Sequence, residues 1–260
     1  MQGPTGIDAY APPEIAARIE AVGVTKANLA LIPLATLGVL AGVFIGFGGM
    51  LFTAVTTGVD PTGPVRLLGG AAFALGLILV VVGGAELFTG NALMVMAWTE
   101  RRIGTGRLLR NWGVVLVANL AGALALVAAM WAAGLLAGPE GARAAAIARA
   151  KMDLSLPEAF VRGVLCNALV CLAVWLTMAA RSVTDKIMAV IWPIAGFVAL
   201  GFEHSVANFY LIPAGIAAGA EGSLGAVVGN LVPVTLGNVV GGAGGVALAY
   251  RLAYGRAKPG

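Results

Sequence analysis

The same frame, G-x-E-x-x-x-x-N, occurs twice in this chain, each time inside a long apolar stretch. The first copy runs from Gly84 to Asn91 and the second from Gly201 to Asn208. A carboxylate in mid-membrane costs roughly a few kcal/mol or more, so it usually faces a cavity or a partner. Polar, glycine-marked interruptions at matching places in two halves are typical of transporters built from repeats. The pattern predicts a membrane transport protein whose pathway runs between two broken helices.

The composition places most of the chain in lipid. Charged residues make up 11% and hydrophobic residues 60% of the sequence, and the mean hydropathy is +0.95. A soluble protein carries about 25% charged residues. The net charge of +4 does not indicate a nucleic-acid partner, because the basic residues lie between the apolar spans. We expect membrane lipid as the surroundings and no nucleic acid.

Hydropathy predicts an all-α membrane fold with six transmembrane helices. The predicted spans are 29–56, 65–98, 108–137, 160–180, 186–219 and 224–250. A crossing takes about 20 residues, so the second and fifth spans are too long for simple helices. Each accommodates a break, around 83–90 and 201–207. We therefore expect broken helices 2 and 5 within a channel domain covering 29–250.

The two ends of the chain are predicted to be cytoplasmic. Residues 1–28 contain an amphipathic helix that opens at Pro12 and ends near Lys26, which we expect at the membrane surface. Residues 251–260 form a short tail. With both ends inside, 11 basic residues are cytoplasmic and five are outside, which satisfies the positive-inside rule for a multi-pass protein of the cell inner membrane. The outer five are Arg66, Arg143, Arg149, Lys151 and Arg162.

Weak sequence matches in constant order indicate an internal repeat. The matching positions are Gly38 and Gly163, Gly84 and Gly201, and Asn119 and Asn238, which are 125, 117 and 119 residues apart. The repeats are thus about 29–137 and 160–250. Because each unit contains an odd number of spans, the second copy must run inverted in the membrane.

Four segments resemble the formate–nitrite transporter family. They are Val82–Gly90, Gly163–Ala173, Gly201–Asn208 and Asn230–Asn238, and the resemblance covers about residues 10–254. It implies an aquaporin-like protomer that assembles as a homopentamer, with a pore in each protomer. The expected substrates are small monovalent anions, most of all formate, with nitrite or hydrosulfide as alternatives. Nothing in the sequence indicates a metal or an organic cofactor.

The resemblance also assigns roles to individual side chains. It places the cytoplasmic constriction at Leu87, Phe88 and Val170, and the periplasmic constriction at Phe73, Leu77 and Phe197. It makes His204 the pore histidine, with Thr89 facing it. Lys151 matches a vestibule lysine, and Asn167 and Asn208 match polar pore groups. Without the resemblance, the aromatic residues would be ordinary core and Lys151 a solvated loop charge.

His204 is the only histidine in the protein and lies inside a predicted membrane span. An anion that enters a dry constriction must shed its hydration, which is costly unless the charge is paired or neutralised. An imidazole can donate a hydrogen bond or hand over a proton, and in the second case formate would cross as formic acid. Both roles remain open at the level of sequence.

Glu86 and Glu203 admit two interpretations. They could form an acid–base pair or a proton relay. We favour a structural role, in which each carboxylate braces a helix break by accepting hydrogen bonds from freed backbone donors. One glutamate per repeat fits such a role.

Two other classes of protein share some of these features. An aquaporin-like channel for neutral solutes has the same architecture, but the chain lacks Asn-Pro-Ala repeats and has a histidine in the membrane. An intramembrane enzyme lacks support, because the sequence has neither an H-E-x-x-H motif nor paired aspartates. Glu86 stands where formate channels often carry aspartate, which leaves nitrite open as the substrate.

Overall fold

The structure is a computed structural model in which residues 8–255 are described. Every regular element in this range is helical. The elements are α1 Pro12–Ala27, α2 Leu31–Val55, α3 Gly63–Gly83, a 3-10 helix Gly90–Met94 leading into α4 Val95–Thr99, α5 Thr105–Ala132, α6 Gly138–Met152, α7 Leu156–Ala179, α8 Val183–Ala199, α9 Ser205–Ala217 and α10 Leu224–Val239, continued by a π-helical segment Val240–Leu248 and α11 Ala249–Tyr254. Parts of the predicted terminal segments, residues 1–7 and 256–260, lie outside the described residues.

Within residues 8–255, five continuous helical stretches are long and apolar enough to cross a membrane. They are α2, α3, α5, α7 and the stretch from α10 to α11. The remaining crossing is divided between α8 and the short apolar helix α9. The predicted all-α membrane fold with two broken spans is confirmed.

Both breaks begin at a glycine with a positive φ. Gly84 follows α3 with φ +82°, and Gly201 follows α8 with φ +71°. Side chains with a Cβ rarely adopt this left-handed conformation, so glycine lets the backbone leave the helix axis there. The helical path resumes at Gly90 in the first break and at Ser205 in the second.

The two halves of the chain use equivalent helix contacts. In the first half α2 packs on α3 and α5, and in the second half α7 packs on α8 and α10. The helix α6 was not predicted, since its segment was interpreted as part of a loop. It occupies the place in the second half that α1 has in the first, because Lys26 and Lys151 are 125 residues apart and end the two helices.

The surface helix α1 packs on protein through its apolar side. Ile15 and Ile19 are buried in one cluster with Leu93 and Val95, which lie just beyond the first break. A buried isoleucine contributes about 1.5–3 kcal/mol relative to an exposed one. The helix therefore positions Lys26, at its C-terminal end, over the break.

Two glycines at equivalent positions allow close helix crossings. A Cβ at Gly122 in α5 would lie 2.0 Å from the backbone oxygen of Val39, and one at Gly241 would lie 2.0 Å from that of Val164. Small residues let helix backbones approach in this way within lipid. Alanine at either position would push the two helices apart.

We expect Gly122→Ala and Gly241→Ala to lower thermal stability in detergent, each by about 1–3 kcal/mol or more, as overpacked cores do. The matched controls are Gly113→Ala, also in α5, and Gly244→Ala in the π-helical segment, where no atom approaches the added carbon. Melting temperatures measured by intrinsic fluorescence will compare them. Equal melting temperatures for Gly241→Ala and Gly244→Ala would contradict the packing argument.

Candidate functional site

The first break is held by one buried asparagine from α5. The Asn119 amide nitrogen donates to the backbone oxygens of Gly38 (2.8 Å) and Glu86 (2.9 Å). Its side-chain oxygen accepts a hydrogen bond from the Phe88 backbone N–H (3.0 Å). The side chain thereby satisfies backbone groups that lipid could not.

The second break is held in the same way by Asn238. Its amide nitrogen donates to the backbone oxygens of Gly163 (2.8 Å) and Glu203 (2.9 Å). Its side-chain oxygen accepts from the Ser205 backbone N–H (2.8 Å). The predicted pairing of Asn119 with Asn238 across the repeat thus corresponds to one shared brace.

Each glutamate of the repeated frame binds a lysine and an asparagine. In the first half, Glu86 accepts from Lys26 Nζ (2.7 Å) and from Asn91 Nδ2 (2.7 Å). Asn91 also accepts from Lys26 Nζ (2.9 Å) and donates to Asn111 Oδ1 (2.8 Å). These donors are side chains, whereas we expected freed backbone N–H groups.

The second half repeats this arrangement. Glu203 accepts from Lys151 Nζ (2.8 Å) and from Asn208 Nδ2 (2.7 Å), and Asn208 also donates to Asn230 Oδ1 (2.7 Å). Asn230 in turn donates to the backbone oxygen of Lys151 (2.9 Å), so the set closes on itself. Asn208, expected to be a polar pore group, is engaged in bracing Glu203.

Lys26 is a site residue that the sequence analysis missed. It was assigned to the cytoplasmic charges that set topology. The signal that would have found it is its spacing of 125 residues from Lys151, the same spacing that relates Gly38 to Gly163. Lys151 itself lies in the last turn of α6, with its side chain 15% exposed and paired with Glu203.

Two cavities lie on either side of the meeting point of the breaks. The first, here called the Lys26 cavity, measures about 440 Å³, and its lining includes Lys26, Leu77, Glu86, Leu87 and Asn91. The second, here called the Lys151 cavity, measures about 330 Å³, and its lining includes Phe73, Lys151, Phe197, Glu203 and His204. The cavities share no lining residue, so buried side chains separate them.

The six predicted constriction residues are all buried, with exposures of 6% or less. The rings of Phe73 and Phe197 meet edge to face, with centroids 5.7 Å apart, at the end of the Lys151 cavity. Leu77 was expected beside them, but the structure places it in the lining of the Lys26 cavity together with Leu87. The two phenylalanines and the two leucines therefore lie on opposite sides of the closed region, which is the group of buried side chains that separates the two cavities.

Phe88 and Val170 line neither of these two cavities. Phe88 packs edge-on against Trp112, with ring centroids 6.2 Å apart. Both residues belong to the main apolar core that surrounds the closed region. Leu87 alone of the predicted cytoplasmic constriction faces a cavity in this conformation.

His204 and Thr89 join the two breaks at their centre. The Nε2 atom of His204 lies 2.9 Å from Thr89 Oγ1. The Nδ1 atom accepts a hydrogen bond from the Ala207 backbone N–H (3.0 Å), which makes the histidine the N-cap of α9. Because Nδ1 is an acceptor, the geometry assigns the proton to Nε2, and the ring is a neutral donor aimed at Thr89.

Asn167 connects the breaks from α7. Its Nδ2 donates to the backbone oxygens of Thr89 (3.1 Å) and Asn238 (2.6 Å). The Thr89 backbone oxygen also accepts a weak hydrogen bond from Cys171 Sγ (3.5 Å). Asn167 was expected to be a polar pore group, but it lines neither cavity and instead fixes the backbone that carries Thr89.

The fold and the site together define a polytopic membrane transport protein built from two similar halves, each with a broken helix. A family profile described as formate/nitrite transporter matches residues 13–252. The chain belongs to this family.

Named relatives and a solved structure agree with the assignment. An uncharacterized transporter, YrhG, of Bacillus subtilis is 43% identical over 94% of this chain and 93% of its own length. The formate channel FocA of Escherichia coli is 38% identical, with 98% of each chain covered. A solved structure described as a pentameric formate channel with formate bound has a TM-score of 0.77 and 40% identity, covering 87% of this chain and 98% of its own.

We expect Asn238→Ala to destabilise the protein strongly, because the Ser205 N–H and the Glu203 carbonyl of the second break lose their partner and the Gly163 carbonyl of α7 loses a hydrogen bond. Each buried group that loses its partner costs about 1–3 kcal/mol. The exposed Asn28, changed to alanine, is the control. Melting in detergent, followed by intrinsic fluorescence, is the measurement. If both variants melt together, Asn238 does not hold the break.

Proposed function

We propose that this protein carries small monovalent anions, with formate as the main substrate, across the cell inner membrane through a pore in each protomer of a homopentamer. The observation that carries this proposal is a neutral imidazole donor, His204, which lines the Lys151 cavity and contacts Thr89 of the other break, in a protein whose two cavities each present a lysine. The relatives named as formate channels and the pentameric solved structure support the substrate and the assembly.

The orientation follows from charge. Arg107 and Arg110 bind the short connection that follows α1, through Asn28 and the Leu29 backbone oxygen, so they lie on the same side as Lys26. Cytoplasmic loops carry an excess of basic residues. We propose that both termini and the Lys26 cavity are cytoplasmic and that the Lys151 cavity faces outward.

The apolar boundary decides which form of the substrate crosses. A bare carboxylate in a dry passage loses hydration worth many kcal/mol unless it is neutralised. The His204 ring is already neutral, and its Nδ1 is occupied by a backbone donor, so it offers an N–H and no standing positive charge. The solute therefore takes up a proton in one vestibule, crosses as formic acid and releases the proton in the other.

His204 and Thr89 then act as the polar contact within the passage. When the Thr89 hydroxyl turns away, the Nε2–H of His204 becomes available to the carbonyl oxygen of the acid. The hydroxyl of Thr89 can accept from the acid's own O–H. Each formate moved carries one proton with it, and the histidine returns to its starting state.

Nitrite is the second candidate, because the matched family is described by both anions. Its protonated form has the same size class and a comparable hydrogen-bonding pattern. The flux experiment described below also includes hydrosulfide and, as a neutral solute, water.

The variant His204→Asn isolates the ring donor. Asparagine is a favourable N-cap and can still accept from the Ala207 N–H, but it does not place a donor where Nε2 lies. We expect formate flux into pH-clamped proteoliposomes to fall about tenfold, since one net hydrogen bond is worth about 1 kcal/mol or slightly more. Wild-type flux at fixed total formate is expected to rise in proportion to the proton concentration on the donor side.

The matched control is Ser205→Ala, whose buried hydroxyl has no hydrogen-bond partner among the described residues. It should transport as wild type does. The panel of solutes is formate, nitrite, hydrosulfide and lactate, with water permeability measured in parallel. Formate flux that is indifferent to pH and unchanged in His204→Asn would overturn the mechanism, and water flux without anion flux would favour a neutral-solute channel.

A further inference from the structure

The two cavities differ in charge. The Lys26 cavity has one basic and one acidic lining residue, Lys26 and Glu86, which pair with each other. The basic residues that line the Lys151 cavity are Arg66, Arg143, Lys151 and Arg162, and its acidic residue is Glu203. Because Glu203 is already paired with Lys151, three arginines are left without a counter-charge in the cavity wall.

Arg143 is the most constrained of these arginines. It is half-buried, and its Nε donates to the hydroxyl oxygen of Thr56 (3.1 Å). Thr56 is buried and donates its own proton to the Phe52 backbone oxygen (2.9 Å), so its position is fixed. Within residues 8–255, no carboxylate lies within salt-bridge distance of Arg143. Burial also lowers the pKa of Arg143, since desolvation disfavours the charged form.

The other two arginines are tethered mainly through neutral groups. Arg66 Nε donates to the Pro61 backbone oxygen (2.9 Å). Arg162 Nη1 lies 3.5 Å from the Gly201 backbone oxygen, and its Nη2 lies 3.9 Å from Glu158 Oε1 at an exposed surface. A surface pair of this length contributes little and leaves most of the charge available to the cavity.

Within the described residues, arginines line the cavity of the second half but not that of the first half. The position that matches Arg143 is Arg18, whose guanidinium lies 4.0 Å from the centre of the Tyr10 ring and does not line the Lys26 cavity. The position that matches Arg162 is Leu37, which does line that cavity. The hydrogen-bonding arrangement that the two halves share therefore does not require the arginines.

We propose that Arg143, assisted by Arg66 and Arg162, forms an anion-binding site in the Lys151 cavity, ahead of the passage at His204. A half-buried guanidinium that no carboxylate neutralises gains most from an anion that its planar fork can bind with two hydrogen bonds. The ligand class is small monovalent carboxylates and oxoanions. The site makes the protein bind these anions more tightly from the Lys151 side than from the Lys26 side.

This inference rests on the proposed function for its transport readout, and sided kinetics test it. Vesicles are sorted for one orientation through a tag on the C-terminal tail, and the half-saturating formate concentration is measured from each side. Clefts lined by one sign of charge raise local ion concentration by about tenfold or more. We expect Arg143→Gln to raise the half-saturating concentration about tenfold from the Lys151 side, with no change from the Lys26 side and little change in maximal flux.

Two further variants separate charge from fold. Arg143→Lys keeps the charge but loses the fork, and should lie between wild type and Arg143→Gln. Arg149→Gln removes an exposed charge from the same helix, outside the cavity lining, and should match wild type. The site is wrong if Arg143→Gln has the same half-saturating formate concentrations as Arg149→Gln. It is also wrong if Arg143→Gln changes these concentrations equally from both sides.

A binding measurement without transport distinguishes this site from the proposed function. Sodium formate, compared with sodium gluconate at equal ionic strength, should raise the melting temperature of detergent-solubilised wild type and Arg149→Gln more than that of Arg143→Gln. If wild-type vesicles carry no formate but this difference persists, the transport proposal fails and the anion site stands. If the three proteins respond identically to formate, the site is wrong whatever the flux.

Discussion

The structure depends on two asparagine side chains that fix the backbone at the two helix breaks. Lipid offers no hydrogen-bond partner, so a helix that stops in the membrane must find partners for its freed backbone groups within the protein. Asn119 and Asn238 each bind one freed carbonyl and one freed N–H of a break, and each also donates to a carbonyl of the neighbouring helix, because an amide combines a two-proton donor with an acceptor. The breaks are therefore fixed in position, and Thr89 and His204 meet between them.

The residue proposed to donate a hydrogen bond to the solute lies at a position where the two repeats differ. The sets built on Glu86 and Glu203 are nearly identical in their contacts and form the scaffold. At a spacing of 117 residues, however, His204 corresponds to Leu87. One break thus presents an imidazole to the passage and the other an apolar side chain. In the proposed mechanism, this difference leaves His204 and Thr89 as the polar contact in an otherwise apolar passage.

The sequence predicted the fold well, because each break combines a glutamate with glycine inside an apolar run, a pattern with few structural solutions. It did not predict α6, whose Ala-rich face, including Ala144 and Ala148, buries little large apolar surface and gives no hydropathy signal. It also placed Leu77 with Phe73, since residues four apart share a helix face. Which side of a closed passage each one faces depends on tertiary packing, and a single sequence does not encode that visibly.

In the proposed mechanism, the solute crosses as a neutral acid past a neutral histidine. The most direct test is to record proton and formate uptake together in proteoliposomes whose membrane potential is clamped at several values. We expect one proton to enter with each formate and the uptake rate to be independent of the potential. Formate uptake that follows the potential, with no accompanying proton, would show that the bare anion crosses and that the neutral-acid mechanism is wrong.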